Sequence, residues 1–398
     1  MKYIILVPDG MADEPVDALG KKTPLEAAAT PNMDAMAQKG FSGLVQTIPD
    51  GMPPGSDIGN LSLLGYDPAK NFSGRAPLEA ANMGIILADD QIAFRCNLVT
   101  LDGGRMVDYS AGHISTEEAA KLIGELNRKI GSADIKFYAG KSYRHLMVLK
   151  TRNVDEFFKM KSTPPHDISD KEVNSYLPQG SQQQYLLGIM DTAKNVLADH
   201  PVNKERTKRK ENPANNIWLW GQGKRPNLPS FKEKFGIKGS IISAVDLVNG
   251  IGRLVGLDII SVPGATGYYD TNYFGKAEYA LKSLEKNDFV YIHVESPDEA
   301  GHNGEHKEKV KAIERIDHDI VGPILKWCLK RDDVRILISP DHPTPVAKRT
   351  HTRAPVCFLM YGKGIEANHL AAYSEKTAAQ AGLKFKSGAE MVAYLFKK

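Results

Sequence analysis

The sequence predicts an α/β fold in which a central, mostly parallel sheet is flanked by helices and a smaller α+β domain is inserted as a cap. Three observations carry this reading. Short β-branched apolar runs alternate with helical periodicity through most of the 398 residues. Several of those runs end in a polar residue with catalytic potential, as parallel strands do when ligands collect beyond their carboxyl ends. The alternation is interrupted once, over residues 112–180.

The first run, residues 3–7, holds only five apolar residues before Pro8-Asp9-Gly10. That is too short for a signal-peptide core, so it reads as a buried strand. Further strand-like runs lie at 289–294 before Asp298, at 335–339 before Asp341-His342, and at 356–361 beyond His351. Helical periodicity marks 116–130, 182–197, 246–255, 276–285 and 306–329. The interrupted segment offers one helix, a strand pair near 135–138 and 146–149, and a polar, proline-bearing stretch. The expected domains are therefore a core of 1–111 plus 181–398 and a cap of 112–180. The basic run 204–210 reads as a solvated turn.

Bulk properties narrow the function classes. Hydrophobic residues make up 42% and charged residues 25% of the chain, as in ordinary globular proteins. Lysine and arginine total 51 against 48 acidic residues, a net charge of +3, too balanced for a nucleic-acid footprint. No apolar run is long enough to suggest a membrane partner. Small phosphorylated metabolites, drawn by local arginines and lysines, are the expected partners, and self-association leaves no mark to read. Cys96, Cys328 and Cys357 are far apart and form no CxxC spacing, which fits a reducing cytoplasm.

The chemistry gathers at the strand ends. Asp298-Glu299-Ala300-Gly301-His302 sets a carboxylate and an imidazole four residues apart, so that one helical turn turns both toward one cation. Such a pair in isolation is ordinary for a solvated helix start. Asp341, His342 and His351 follow another run, and Asp9 occupies the same topological position after the first. A nitrogen and oxygen donor set without thiolate suits Mn²⁺, Zn²⁺ or Co²⁺. Six ligands exceed what one catalytic ion with an open position needs, and they divide between two ions. Pro53-Pro54-Gly55-Ser56 makes a tight turn that sets Ser56 at a helix start. A serine there is usually a cap, but beside a metal it is also a candidate phosphoryl acceptor.

These residues resemble the alkaline phosphatase superfamily and, within it, the archaeal-type cofactor-independent phosphoglycerate mutase family. The resemblance runs over nearly the whole chain. It is carried by Val7-Pro8-Asp9-Gly10-Met11-Ala12-Asp13, Thr23-Pro24-Leu25-Glu26, Pro54-Gly55-Ser56-Asp57, Leu63-Leu64-Gly65-Tyr66-Asp67-Pro68, Gly74-Arg75-Ala76-Pro77-Leu78-Glu79-Ala80, Leu228-Pro229-Ser230-Phe231, Val262-Pro263-Gly264-Ala265-Thr266-Gly267 and Asp298-Glu299-Ala300-Gly301-His302. It implies an alkaline-phosphatase-like core and two metal ions, Mn²⁺ foremost. Asp9, Ser56, Asp341 and His342 would hold one, and Asp298, His302 and His351 the other. Ser56 would attack the phosphate of 3-phosphoglycerate and return it to the 2-hydroxyl. Arg75, Arg144, His145, Arg253 and Lys276 are the implied substrate contacts.

Three positions depart from the family pattern. His113 stands where an arginine is expected, Trp220 replaces a strand-end arginine, and Asn249 replaces a lysine. Lost guanidinium groups weaken recognition of a double anion. The departures leave open a homoserine-kinase-like phosphotransferase, or a phosphomonoesterase, working with the same serine and metals. Trp220 either stacks on a base or fills the core, core filling being the preferred reading. His113 is either a structural imidazole or a general acid/base for the acceptor hydroxyl.

Overall fold

A computed structural model describes residues 1–397. In chain order its strands are β1 (Lys2–Pro8), β2 (Phe41–Val45), β3 (Gln91–Asp102), β4 (Arg105–Asp108), β5 (Ile135–Tyr138), β6 (Arg144–Lys150), β7 (Asn216–Lys224), β8 (Gly239–Ile242), β9 (Asp258–Ile259), β10 (Phe289–Val294), β11 (Val334–Ile338), β12 (Val356–Gly362) and β13 (Leu383–Phe385). The chain divides into two compact units, one of Met1–Phe72 with the segment from Asn227 onward, the other Ser73–Pro226.

The first unit is built on a sheet of order β13-β2-β12-β11-β1-β10-β8-β9. β1 runs parallel to both β10 and β11, with Leu6 opposite Ile338 on one side and Pro8 opposite Val294 on the other. Only β12 runs against its neighbours, β11 and β2. β10 and β11 are buried along their whole lengths and β1 along all but its first residue, because helices cover both faces. This explains why these strands read as continuous apolar runs rather than alternating ones. Ile4, Leu6, Val290, Ile292, Ile336 and Ile338 form the centre of that core. The stretch expected as one helix over 306–329 is a continuous helical run with a π turn, Ile316–Val321, between His306–Arg315 and Gly322–Cys328. Pro323, which has no N–H to donate, lies just after the turn.

The second unit has an antiparallel sheet in which β3 pairs with β4, β6 and β7, and β6 also pairs with β5. The helices Thr116–Lys129 and Gln183–Ala198 pack Leu122, Ile123, Leu126, Leu186, Ile189 and Met190 into its core. The expected cap of 112–180 is thus one part of a larger unit. β3 and β7, which flanking sequence assigned to the core domain, pair with each other and with β6 inside this unit and carry its boundaries out to Ser73 and Pro226. The basic run 204–210 is also corrected: most of it lies in the helix Pro201–Lys208, and Arg206 is 3% exposed and ion-paired with Glu118 at 2.7 Å.

One close approach ties the helix Ser56–Leu63 to the loop after β11. A Cβ at Gly59 would stand 2.7 Å from both the Asp341 carbonyl oxygen and its Cβ. Gly59→Ala is therefore expected to destabilise the fold by about 1–3 kcal/mol through overpacking, read as a lower urea midpoint. An unchanged midpoint would mean that this packing is not tight.

Candidate metal centre and phosphoryl acceptor

Three adjacent parallel strands deliver the site. Asp9 follows β1, Asp298 lies in the first turn of the helix Ser296–Asn303 after β10, and Asp341 and His342 follow β11. Asp9, Asp341 and His342 are fully buried, and Asp298 nearly so. Ser56, the first residue of the helix Ser56–Leu63, is half-buried, with Oγ 3.1 Å from His342 Nε2 and 3.4 Å from Asp9 Oδ2. At that position the backbone N–H groups have no partner within the helix, which favours an anion there.

His302 and His351 complete the convergence. Their Nε2 atoms are 2.9 Å apart and lie 3.2 Å and 3.5 Å from the two oxygens of Asp298. His342 stands between this trio and the Asp9 side: its Nε2 is 3.5 Å from Asp9 Oδ1 and 3.4 Å from Asp341 Oδ2, and its ring centroid is 4.1 Å from that of His351. The structure thus brings together all seven residues expected at the metals.

Two neighbours escaped the sequence reading. His293, on β10, puts Nε2 3.0 Å from Asp9 Oδ2, and Glu295 follows the same strand. Asp298 with His342 and His351, Asp9 with His293 and Asp341, and Asp9 with Glu295 and Asp298 each form a group able to hold a metal ion. The pattern His293-Val294-Glu295 inside an apolar run was the available signal. A layer of hydrogen bonds orients these donors. Asn60 Nδ2 donates to Asp341 Oδ2 at 2.9 Å, Tyr291 donates to Asn60 Oδ1 at 2.6 Å, and Gly10 N–H donates to Asp341 Oδ1 at 3.2 Å.

The electrostatics favour a cation. Burial, followed by the charges of Asp341, Glu295 and Asp298, pushes the Asp9 carboxyl well above the usual range. Burial and then Asp298 raise Glu295 to about 8. Burial also opposes ionisation of Asp298, but hydrogen bonds from His302 and His351 hold it well below the usual range. The hydrogen bond to Asp298 lifts His302 to about 9. Asp9 Oδ1 and Glu295 Oε2 are buried without a hydrogen-bond partner. Such unpaired acceptors and crowded carboxylates are what a bound cation satisfies, so the donor set fits divalent metal.

The remaining expected residues divide differently. Arg253 is exposed in the last turn of the helix Asp246–Leu254. Lys276 is 1% exposed and donates to the His293 carbonyl at 2.7 Å, so it supports β10 in place of the expected substrate contact. His145 is equally unsuited to that contact. It is 2% exposed, Nδ1 accepts from Gly140 N–H at 3.0 Å, and burial lowers its pKa to about 4.

In the second unit Arg75 is half-buried at the start of its helix, and Arg144 lies over the Tyr143 ring at 4.6 Å. Arg95, absent from the expected set, stacks 4.0 Å over Trp220, its register partner across β3 and β7, and pairs with Glu79 at 3.0 Å. Trp220 is 4% exposed and donates to Asn97 Oδ1 at 3.0 Å, so it fills the core. His113 is exposed at the end of three consecutive left-handed residues, Ala111, Gly112 and His113. Asp108 fastens that turn by accepting from Ser110 N–H and Gly112 N–H, each at 2.7 Å.

Comparison with known proteins gives one family. The family model described as 2,3-bisphosphoglycerate-independent phosphoglycerate mutase matches residues 37–203. A protein of that name from Methanosarcina acetivorans is 52% identical over 362 residues, covering 91% of this chain and 90% of the relative. A probable member from Geobacter sulfurreducens is 50% identical over 403 aligned residues and covers both chains fully. The solved structure of a cofactor-independent phosphoglycerate mutase from Thermoplasma acidophilum superposes with a TM-score of 0.71 at 26% identity, covering 99% of each chain.

Stripping divalent cations with EDTA is expected to lower the melting temperature, with recovery on readdition. A site held at 100 to 1,000 times Kd stabilises the fold by roughly 3–4 kcal/mol. His302→Ala should reduce the metal retained per chain, measured by elemental analysis. Undiminished metal content would remove His302 from the centre.

Proposed function

The chain belongs to the 2,3-bisphosphoglycerate-independent phosphoglycerate mutase family, and on that premise we propose that it interconverts 3-phosphoglycerate and 2-phosphoglycerate through a phosphoserine at Ser56. The observation that carries the reading is the position of Ser56 Oγ, at a helix start and within 3.4 Å of both Asp9 and His342. Asp9, Ser56, Asp341 and His342 would hold one divalent ion, and Asp298, His302 and His351 a second, with Mn²⁺ the preferred metal. When bound, such ions stabilise charge on the transferring phosphoryl group and make the serine hydroxyl more acidic.

The protein's own groups do the rest. Ser56 takes the phosphoryl group from the 3-oxygen of glycerate and releases it to the 2-oxygen. Its place at the helix start favours the dianion of the intermediate. Arg75, Arg144 and Arg253 are the proposed contacts for carboxylate and phosphate. Arg95, which the cross-strand register sets against Trp220, supplies a guanidinium beside the position where the resemblance expects an arginine. His113, exposed on its fastened turn, is proposed to exchange the proton of the glycerate hydroxyl. The buried Trp220 offers no free face for a nucleotide base, which favours the mutase over the kinase-like reading. A cytoplasmic location accords with three buried, unpaired cysteines, and among the described residues no helix is long and apolar enough to cross a membrane.

The test is an enolase-coupled assay with 3-phosphoglycerate and Mn²⁺, without added 2,3-bisphosphoglycerate. Formation of 2-phosphoglycerate is expected, and its absence would sink the mutase reading. Ser56→Ala should cut turnover by about a thousandfold or more while leaving the melting temperature unchanged. Full turnover in that variant would overturn the covalent route.

A further inference from the structure

Outside the donor set lies a buried ion pair that the chemistry above leaves unused. Lys309, on the helix His306–Arg315, is completely buried. A buried ammonium is costly unless every donor is paired. Here all three are spent: on Asp13 Oδ2 at 2.7 Å, the Thr344 carbonyl at 2.9 Å and the Ala12 carbonyl at 3.5 Å. The lysine is thereby closed to any ligand.

Its partners belong to the two loops that carry the metal-site residues. Ala12 and Asp13 continue the loop that begins with Asp9, and Thr344 continues the loop that begins with Asp341 and His342. Asp13 accepts from Val346 N–H at 3.1 Å, Thr344 N–H donates to the Ala12 carbonyl at 3.2 Å, and Glu375 accepts from both Asp13 N–H and the Thr23 hydroxyl. Lys309 thus donates to the backbones of both loops. Thr344 carries the constraint inward. Its hydroxyl, fully buried, donates to Asp298 Oδ1 and lies 3.2 Å from His342 Nδ1. The packing around it is close: a Cβ at Gly301 would meet the Thr344 carbonyl at 2.3 Å, and one at Gly10 would meet the Thr344 hydroxyl at 2.6 Å.

We propose that Lys309, paired with Asp13 and acting through Thr344, is a positioning residue that sets the cation affinity of the site by holding Asp298 and His342 in register. The inference rests on reading the donor set as a metal centre. Groups that orient metal ligands typically change metal affinity 10- to 100-fold when removed. Ordinary core groups change stability and leave affinity alone.

The experiment is calorimetric titration of the EDTA-stripped, full-length protein with Mn²⁺, alongside the melting temperature of each metal-free form. Lys309→Met alone would strand a buried carboxylate, so the double variant Lys309→Met/Asp13→Asn keeps the pocket neutral and the fold intact. It is expected to bind Mn²⁺ about tenfold more weakly or worse, with its metal-free melting temperature close to the parent's. Thr344→Val, which keeps shape and loses the hydroxyl, should weaken binding similarly, and Thr344→Ser should restore it. Parent-like Mn²⁺ affinity in both the double variant and Thr344→Val would overturn the proposal. Failure of the parent itself to bind Mn²⁺ would overturn the metal reading beneath it.

Discussion

Crowding of negative charge is the constraint on which the rest of this molecule depends. Three neighbouring parallel strands end within reach of one another, and the residues that follow them bring Asp9, Glu295, Asp298 and Asp341 together away from solvent. At an effective dielectric of 20, two carboxylates about 4 Å apart repel by about 4 kcal/mol. A fold that makes this arrangement needs compensation from its surroundings. Asn60 and the Gly10 N–H hydrogen-bond to Asp341, Thr344 to Asp298, and the imidazoles stand between the carboxylates. Strain of this kind is kept where binding or catalysis uses it.

The compensation also sorts the chain by function. Ser56, half-buried, sits at the start of its helix. The groups that hold the site lie in the interior, on β10, on the helix Ser56–Leu63 and on the helix His306–Arg315. The second unit follows a similar rule with opposite charge. Arg95 is held between Trp220 and Glu79, and burial followed by the nearby Arg75 and Arg144 lowers its pKa, although Glu79 acts against this. One unit concentrates anionic donors and the other concentrates guanidinium groups.

Much of the first of these concentrations was legible in the residues alone. Asp9, Asp298 and Asp341 each end an apolar run, and the Asp298–His302 spacing has meaning on a helix. Local pattern was therefore enough. His293, Glu295, Asn60, Thr344 and Lys309 were hidden for the opposite reason. His293, Glu295 and Asn60 are polar within or beside an apolar stretch, Lys309 lies in the charged run Glu305-His306-Lys307-Glu308-Lys309 that reads as a solvated helix face, and partners lie far away in sequence, as those of Asn60 and Lys309 do. The second unit's boundaries were hidden too. β3 and β7 have the same apolar character as the strands of the larger sheet, and nothing local says which sheet a strand joins. Arg95 became recognisable only once the register set it against Trp220.

The way the second unit interrupts the first bears on how the protein is made. Asn71 hydrogen-bonds to the Asn227 carbonyl at 2.7 Å, so the chain leaves the first unit and re-enters it at one place. β1 precedes the second unit in the chain, yet both its sheet neighbours, β10 and β11, follow that unit. An early apolar strand must therefore wait, unpaired on both edges, while the intervening unit is synthesised and closes its own local antiparallel sheet. The larger unit is thus split by the smaller one, and its sheet closes around β1 only after the strands that follow the smaller unit have been made.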